Sequence, residues 1–569
     1  MKTKITILTT LVLLLIFMST LHAQDPTLLW ANQMGGPGAD VGRSITTDTD
    51  GNVYTTGYFR EIVDFDPGAG TTILTSVGDY DIFIQKLDNN GNFIWVKQMG
   101  GTSSDKGFSI ATDANGNIYT TGQFLNTVDF DPGAGTFNLT SAGSSDIFVL
   151  KLDNNGDFIW AKQMGGTIDD MGLALAVDNN GNVYTTGFFL NTVDFDPGAG
   201  IANLSSVGGS RDMFIQKLDT SGNFIWVKQM GGSGDDGGLS IATDADGNIY
   251  STGNFESTVD FDPGAGITNL TSAGNQDGFI QKLDNSGNLI WVRQIGGISW
   301  DWGRSLTTDT DGNVYTLGYF NETVDFDPGA DITNFTSAGE SDIFIQKLDT
   351  NGDLIWARQM GGPNSDYGFS IATDANGNVY TTGWFEYTVD FDPGVDATNL
   401  VSNGYIDIYL QKLNADGIFD WAYGIGGTGP DYGYSITTDN DGNIFSTGEF
   451  RGLADFDPGA DTTNFTAAGP SDIFVQKLTS ITVGLLENTS SEHFVVYPNP
   501  TDGKLSIEFD NIQGSLTARL FSLTGQLIMN RNFQNMNSFQ LEINVPSGMY
   551  ILEVIDGKGK KAAIRILKE

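Results

Sequence analysis

The chain has 569 residues, 70 of them acidic and 28 basic, for a net charge of −42, with no cysteine and two histidines. That balance excludes nucleic acid as a partner, because phosphate binding needs clustered Lys and Arg, and the missing cysteines exclude disulfides, thiolate nucleophiles and Cys-ligated metals. His22 and His493 bracket a stretch with no histidine, so Ser-His-Asp catalysis, His-ligated metals and His acid–base chemistry are excluded between them.

Residues 1–23 read as a secretory signal peptide. Lys2 and Lys4 supply the positive start, Ile7 to Phe17 is apolar, and Ala23 is a small residue before the cut. The apolar run is too short to span a bilayer comfortably, and no later stretch reaches spanning length, so no transmembrane segment is expected.

Residues 24–479 are an internal array. Tryptophan recurs at Trp30, Trp95, Trp160, Trp226, Trp291, Trp356 and Trp421, a period of 65 or 66 residues, and a whole phrase recurs around it. Each unit predicts four short strands, as in SIATD, NIYTTGQF, DIFVLKLD and DFIWAKQMG, rich in β-branched and aromatic residues. The first pair is joined by D-x-[DN]-G-N and the last pair by a similar turn, both favouring the positive-φ geometry of tight hairpins. The middle connection is longer and carries V-D-F-D-P-G-A-G, which extends strands two and three or turns at its Pro and Gly.

A four-stranded unit repeated seven times predicts an all-β fold, a seven-bladed β-propeller. The array opens with an orphan fourth strand, Leu28 to Met34, and closes on a third strand, Asp472 to Leu478. Moving the first strand into the last blade completes seven blades and closes the ring. At T-G-x-F, D-F-D-P-G-A, D-I-F-I-Q-K-L and W-V-K-Q-M-G-G the units resemble the bacterial seven-bladed β-propeller repeat family. The resemblance implies the fold and a secreted or surface setting, and transfers no catalytic residue.

Residues 480–493 form a polar linker, and residues 494–569 are a C-terminal domain expected to be a small β-sandwich. From Gly484 onward there are 8 basic and 9 acidic residues, so the acidity of the chain belongs to the array. Tyr497-Pro498-Asn499-Pro500, Leu520 to Gln526 around Gly525, and Pro546-Ser547-Gly548-Met549-Tyr550 resemble the type A sorting domain of the type IX secretion system, with Ser522 where the family commonly has Asp. That resemblance implies type IX secretion machinery as a partner, tail removal, and release or attachment at the outer-membrane surface.

The two short turns share one face of the expected propeller. The long connection and the blade-to-blade segment G-G-x-x-x-D-x-G share the other, which is the candidate binding face. Two acidic sets belong to it. One is the junction series Asp40, Asp105, Asp170, Asp236, Asp301, Asp366 and Asp431. The other is the D-F-D pairs: Asp64 and Asp66, Asp129 and Asp131, Asp194 and Asp196, Asp260 and Asp262, Asp325 and Asp327, Asp390 and Asp392, Asp455 and Asp457. Calcium is the cofactor reading of the D-F-D pairs, since hard cations take carboxylate and carbonyl oxygens. Turn capping, or pairing of the junction aspartates with the repeated strand lysines (Lys86 in the first unit), is the structural reading. The repeated aromatics Tyr54, Phe59, Phe83 and Trp95 are expected to pack.

Positions that vary between units are the better guide to an asymmetric ligand. Trp300, Trp302, Tyr319, Tyr367, Trp384 and Tyr432 concentrate on the last three units, where rings beside carboxylates would suit a sugar. The expected function is a monomeric, non-catalytic binding or adhesion scaffold for a glycan or protein ligand. The alternative is a carboxylate-dependent polysaccharide-degrading enzyme, which needs no histidine.

Overall fold

The computed structural model describes residues 26–459, 461–479, 494–497, 501, 503–522, 527–543, 545–546, 548–556 and 561–568. The signal peptide 1–23, the linker 480–493 and the motif residues Pro498, Asn499, Pro500 and Gly525 lie outside the described residues. Every regular element among the described residues is a strand. The chain divides into two compact units, Met1–Ser480 and Ile481–Glu569.

In the first unit the D-x-[DN]-G-N signature does what its residues predict. Asp48 Oδ1 accepts from the backbone N–H of Asp50 and Asn52, and its Oδ2 accepts from Asn52 Nδ2 and Tyr54 Oη, while Gly51 takes φ 77°. The carboxylate thus satisfies the turn's own donors. Hairpins of this kind build antiparallel sheets in the strand order one-two-three-four. Sheet 1 contains Val41–Thr47, Val53–Phe59, Asp81–Leu87 and Phe93–Met99, and sheets 2 to 5 repeat the order to Met360. Sheet 6 begins with Tyr367–Thr373 and Val379–Asp390, and its fourth strand, Phe419–Gly427, continues into a further short hairpin. Sheet 7 holds Tyr432–Thr438, Asn443–Phe450 and Asp472–Thr479, and its fourth strand is Thr27–Met34 from the other end of the array, running from Thr27 opposite Thr479 to Met34 opposite Ile473.

The middle connection takes both forms the sequence allowed. It is a separate short hairpin in sheet 1, Ile62–Asp64 with Ile73–Thr75, and a continuation of strands two and three in sheet 2, Ile118–Asp129 with Asn138–Leu152.

The core lies between consecutive sheets. Tyr54, Ile82 and Ile84 of sheet 1 pack with Ile110, Phe124 and Phe148 of sheet 2, and Phe445, Ile473 and Val475 of sheet 7 pack with Ile45, Phe59 and Phe83 of sheet 1. Each first strand packs on the first strand of the next sheet, and that of sheet 7 packs on that of sheet 1. Along this seam Ser44 Oγ accepts from Ile110 N, Ser109 from Leu175 N, Ser370 from Ile436 N, and Ser435 from Ile45 N.

Five of the repeated tryptophans tie a sheet to its successor. Trp160 Nε1 donates to Thr220 O, Trp291 to Thr350 O and Trp356 to Ala415 O, and Trp30 in sheet 7 donates to Asn89 O in sheet 1 at 3.1 Å.

In the second unit, Phe494–Tyr497, Lys504–Ser522, Leu527–Glu542, Gly548–Asp556 and Lys561–Lys568 join in one five-stranded antiparallel sheet. Leu505, Ile507, Leu520, Phe539, Leu541 and Leu552 make its core. Tyr550 is buried there and its hydroxyl donates to Pro546 O, whereas Tyr497 is exposed and its hydroxyl bonds Glu508.

Candidate functional site

The repeated acidic residues accept backbone N–H bonds that hold the loops. Each junction aspartate is buried, with Oδ1 accepting from the backbone N–H that follows the strand-two phenylalanine and Oδ2 from a glycine before it: Arg60 N and Gly36 N for Asp40, Asn321 N and Gly297 N for Asp301, Glu386 N and Gly362 N for Asp366. Burial pushes these carboxyls up, to about 6 for Asp105 and Asp301, about 7 for Asp40, Asp170 and Asp431, and about 8 for Asp236 and Asp366. The buried aspartate that opens the neighbouring third strand, such as Asp342 beside Asp366, pushes the same way.

The strand lysines do not meet the junction aspartates. They sit at the opposite, tight-hairpin end of the third strand, where Lys151 Nζ donates to Thr220 O, Lys282 to Thr350 O and Lys477 to Asn89 O. The spacing of Asp81 and Lys86 along one seven-residue strand, Asp81–Leu87, already separates the two ends.

In the D-F-D motif the phenylalanine is the buried element. Phe65 lies 5.2 Å from Phe59 and 5.0 Å from Phe83 between ring centroids, and Phe130, Phe195, Phe261, Phe326, Phe391 and Phe456 repeat the arrangement. The flanking carboxylates turn the chain back. Asp64 Oδ1 accepts from Asp66 N and Thr72 N, and Asp66 Oδ1 from Gly68 N, with equivalent bonds at Asp129 and Asp131, Asp194 and Asp196, Asp260 and Asp262, Asp325 and Asp327, Asp390 and Asp392, and Asp455 and Asp457. Among the described residues no group of three or more His, Cys, Asp or Glu side chains is placed to hold a metal ion.

The variable aromatic positions converge. Trp302 and Tyr319 lie 5.7 Å apart, Tyr319 and Tyr367 4.3 Å, Tyr367 and Trp384 4.4 Å and stacked, and Trp384 and Tyr432 6.1 Å edge to face. Five rings thus form one line across sheets 5, 6 and 7. Trp300 is 46% exposed and stands at the mouth of a cavity of about 460 Å³ between sheets 5 and 6, which Tyr319, Tyr367, Glu322, Glu340 and Ser341 also line. Glu386 is held above the usual carboxylate range by burial, and the nearby Glu340 charge adds to this.

A second series was missed by the sequence reading. In all seven sheets the first strand carries a β-bulge after its glycine, and the extra residue is Arg43, Phe108, Leu173, Leu239, Arg304, Phe369 or Tyr434. A bulge re-aims its side chain off the ladder. The glycine of T-G-x-F makes room for it: a Cβ on Gly318 would sit 1.9 Å from the Trp302 carbonyl oxygen. Three bulged residues meet, with Phe369 and Tyr434 5.5 Å apart and the Arg43 guanidinium 4.4 Å from the Tyr434 ring. Arg304 lies 4.7 Å from Phe369 and 6.0 Å from Trp302, which joins this series to the aromatic line. Tyr434 Oη donates to the buried Glu449, which also faces Arg451 at 3.5 Å. The same rule of variation between units, applied to this position, would have found it.

Residues 29–58, 94–123, 225–254, 290–322 and 355–384 match the family described as Beta-propeller repeat, and residues 495–569 match the Secretion system C-terminal sorting domain. A domain of that kind directs a chain to secretion or to attachment at the cell surface, and among the described residues no helix is long and apolar enough to cross a membrane. An uncharacterized WD repeat-containing protein of Acanthamoeba polyphaga mimivirus is 24% identical over 75% of this chain and 36% of its own length. The regulatory protein FlaEY of Caulobacter vibrioides is 23% identical over 92% of this chain and 53% of its own. The chain therefore spans about a third to about half of the curated relatives it matches. A solved fungal alcohol oxidase in complex with copper aligns over 81% of this chain and 96% of that one at 12% identity, with a TM-score of 0.29, too loose to bear on function.

Proposed function

We propose that this chain, which carries β-propeller repeats and ends in a secretion-system sorting domain, is a closed seven-bladed propeller (residues 24–479) that binds a glycan outside the cell without transforming it. Closure is supported by Thr27–Met34 pairing with Asp472–Thr479 and by the packing of sheet 7 on sheet 1. In this reading residues 1–23 are removed as a signal, residues 480–493 link, and the tail of residues 494–569 is read by the type IX machinery and removed. The propeller acts as a monomer, and the D-F-D carboxylates serve their turns without calcium.

The observation that carries the binding role is the unbroken line Trp302–Tyr319–Tyr367–Trp384–Tyr432 beside an open cavity with carboxylates on its wall. Flat rings stack on sugar rings while polar groups meet the hydroxyls. A glycan array probed with the full chain tests it. Retention that falls at least about tenfold, about 1.4 kcal/mol, in the Trp384→Ala variant supports the reading, and binding untouched by Trp384→Ala with Trp300→Ala removes it. Glu340 on the cavity wall and the raised Glu386 near it favour a second reading, a carboxylate-dependent polysaccharide hydrolase. Shortened oligosaccharide products that vanish in Glu340→Gln would establish it.

A further inference from the structure

Arginine is scarce in this chain, and four of its ten have polar partners in the array. Arg60 pairs with Asp79, Arg293 donates to Gly352 O and Asn351 O, Arg358 donates to Gly417 O, and Arg451 faces Glu449. Arg43 and Arg304 differ from all of these. Among the described residues neither makes a hydrogen bond or an ion pair, and the Nε of each, like that of Arg451, is buried with no acceptor. Their guanidiniums only stack, Arg43 on Tyr434 and Phe108 and Arg304 on Phe369 and Trp302.

Both are bulge residues of first strands, and Tyr434 and Phe369, themselves in contact, join them into one cluster. Burial holds the Arg304 guanidinium down to about 10, and the Arg43 charge works in the same direction, so the two cations feel each other. Cation–π stacking offsets part of that cost but leaves the two buried Nε–H donors unsatisfied. Trp302 Nε1, also buried and without an acceptor, adds a third donor at the same place. In a chain with 70 acidic residues, a pair of cations with no carboxylate at ion-pair distance among the described residues, the buried Glu449 meeting the cluster only through Tyr434, is a local reversal of the prevailing sign.

We infer that Arg43 and Arg304 receive the anionic group of the saccharide, a carboxylate or a sulfate ester, where the aromatic line meets the ring of first strands. The inference rests on the glycan reading above and narrows its ligand to acidic sugars. A guanidinium presents a planar fork of N–H donors that matches two oxygens of one anion, and the rings that flatten each guanidinium fix the direction of that fork. The surrounding acidic surface repels polyanions in general, with a reach of about 8 Å at physiological salt. Only an anion carried to the arginines by stacking of its sugar ring gains from them.

The test is an array carrying matched neutral, uronate and sulfate-ester oligosaccharides, read with the full chain and with Arg43→Gln, Arg304→Gln and Arg304→Lys. The expected result is retention of an acidic class at least about tenfold over its neutral counterpart, one tenfold being about 1.4 kcal/mol. Both glutamine variants should lose that preference while keeping the residual affinity for the neutral sugar, and Arg304→Lys should restore it only in part, because an ammonium lacks the fork. Uronates alone, or sulfate esters alone, identify the source of the anion. Neutral sugars bound as well as acidic ones, or a preference that survives both glutamine substitutions, overturns the inference and leaves the glycan reading standing. Retention of no oligosaccharide overturns both. If a glutamine variant does not fold, the acidic-to-neutral ratio of the unsubstituted chain still decides the matter.

Discussion

Raising the pH from 5 to 8.5 should destabilise the array, the reverse of what surface aspartates do. At each junction a buried aspartate stands near a second, buried one at the start of the third strand: Asp105 near Asp81, Asp366 near Asp342. Asp342 Oδ2 accepts from Ala338 N and Gln359 Nε2, but its Oδ1 is buried without a partner, as are those of Asp81, Asp146, Asp277 and Asp407. Such a pair keeps a proton that neither carboxyl would hold in water.

The junction carboxyls, pushed up to about 6 to 8 by burial, lie above the ordinary aspartate value of 3.8. Between those limits the native state binds more protons than the unfolded chain. The stabilisation is complete below about pH 4 and is lost as pH rises through 6 to 8. Each retained proton is worth about 1.4 kcal/mol per pH unit, so seven junctions set a ceiling of about 10 kcal/mol per unit near pH 5. Carboxylates of the turns work the other way only lower on the scale. Burial raises Asp309, yet bonds from Asn313 and Tyr315 and the Lys347 ammonium together outweigh it and hold it down, so its contribution is lost below the ordinary carboxylate range.

Unfolding entropy is roughly 2 cal/mol/K per residue, so a loss of about 5 kcal/mol over the 450-odd residues of the array lowers the melting temperature by about 5 °C. Thermal melts followed by circular dichroism from pH 4.5 to 9 measure it. Asp342→Asn, which removes the charged neighbour of Asp366 while burial still raises that carboxyl, should make the decline slightly shallower. A melting temperature that is level or rises from pH 5 to 8.5 refutes the argument.

Ser257 sits at φ 66°, in the left-handed position that Gly452 occupies in the last unit. Ser257→Gly should raise the stability of the array by about 1 kcal/mol, seen as a higher melting temperature, and a lower one would contradict the strain. Gly318→Ala should force the Trp302 carbonyl away and spoil the bulge that carries Arg304. It is expected to unfold at least about 2 kcal/mol more easily in urea melts, and unchanged stability would mean that the bulge yields. Chelation with EDTA should leave both the melting temperature and array binding unchanged, since one oxygen of each D-F-D carboxylate is taken by backbone N–H groups and no third carboxylate joins the pair among the described residues. A drop reversed by calcium would establish the metal.

The four strands of each unit were legible because hairpin turns and β-branched runs are local signals, and Asn-Gly or Asp-Gly admits few alternatives. The pairing of Leu28 with Leu478 was legible from counting strands, a consequence of strict repetition. The aromatic line was legible because Trp302, Tyr367 and Trp384 break the repeat where their counterparts Val41, Lys106 and Gln123 show that no one chemistry is required. Other features were not. The junction aspartates and strand lysines look like partners in one dimension, but a strand of seven residues keeps its ends apart. The bulge was hidden because an extra residue in a ladder leaves no mark in the sequence of one strand; it exists only in register with the partner. The sequence therefore does not show that Arg43 and Arg304 are bulged, although variation between units and their sign in a chain of this acidity both mark the position.

Backbone hydrogen exchange of the full chain, with and without the best-retained oligosaccharide from the array, tests the central claim most directly. Slowed exchange at 299–302, 319–322, 339–341 and 365–367, with the oligosaccharide recovered intact, is the result predicted. Protection confined to the D-x-[DN]-G-N turns on the opposite face, or recovery of cleaved sugar, would contradict it.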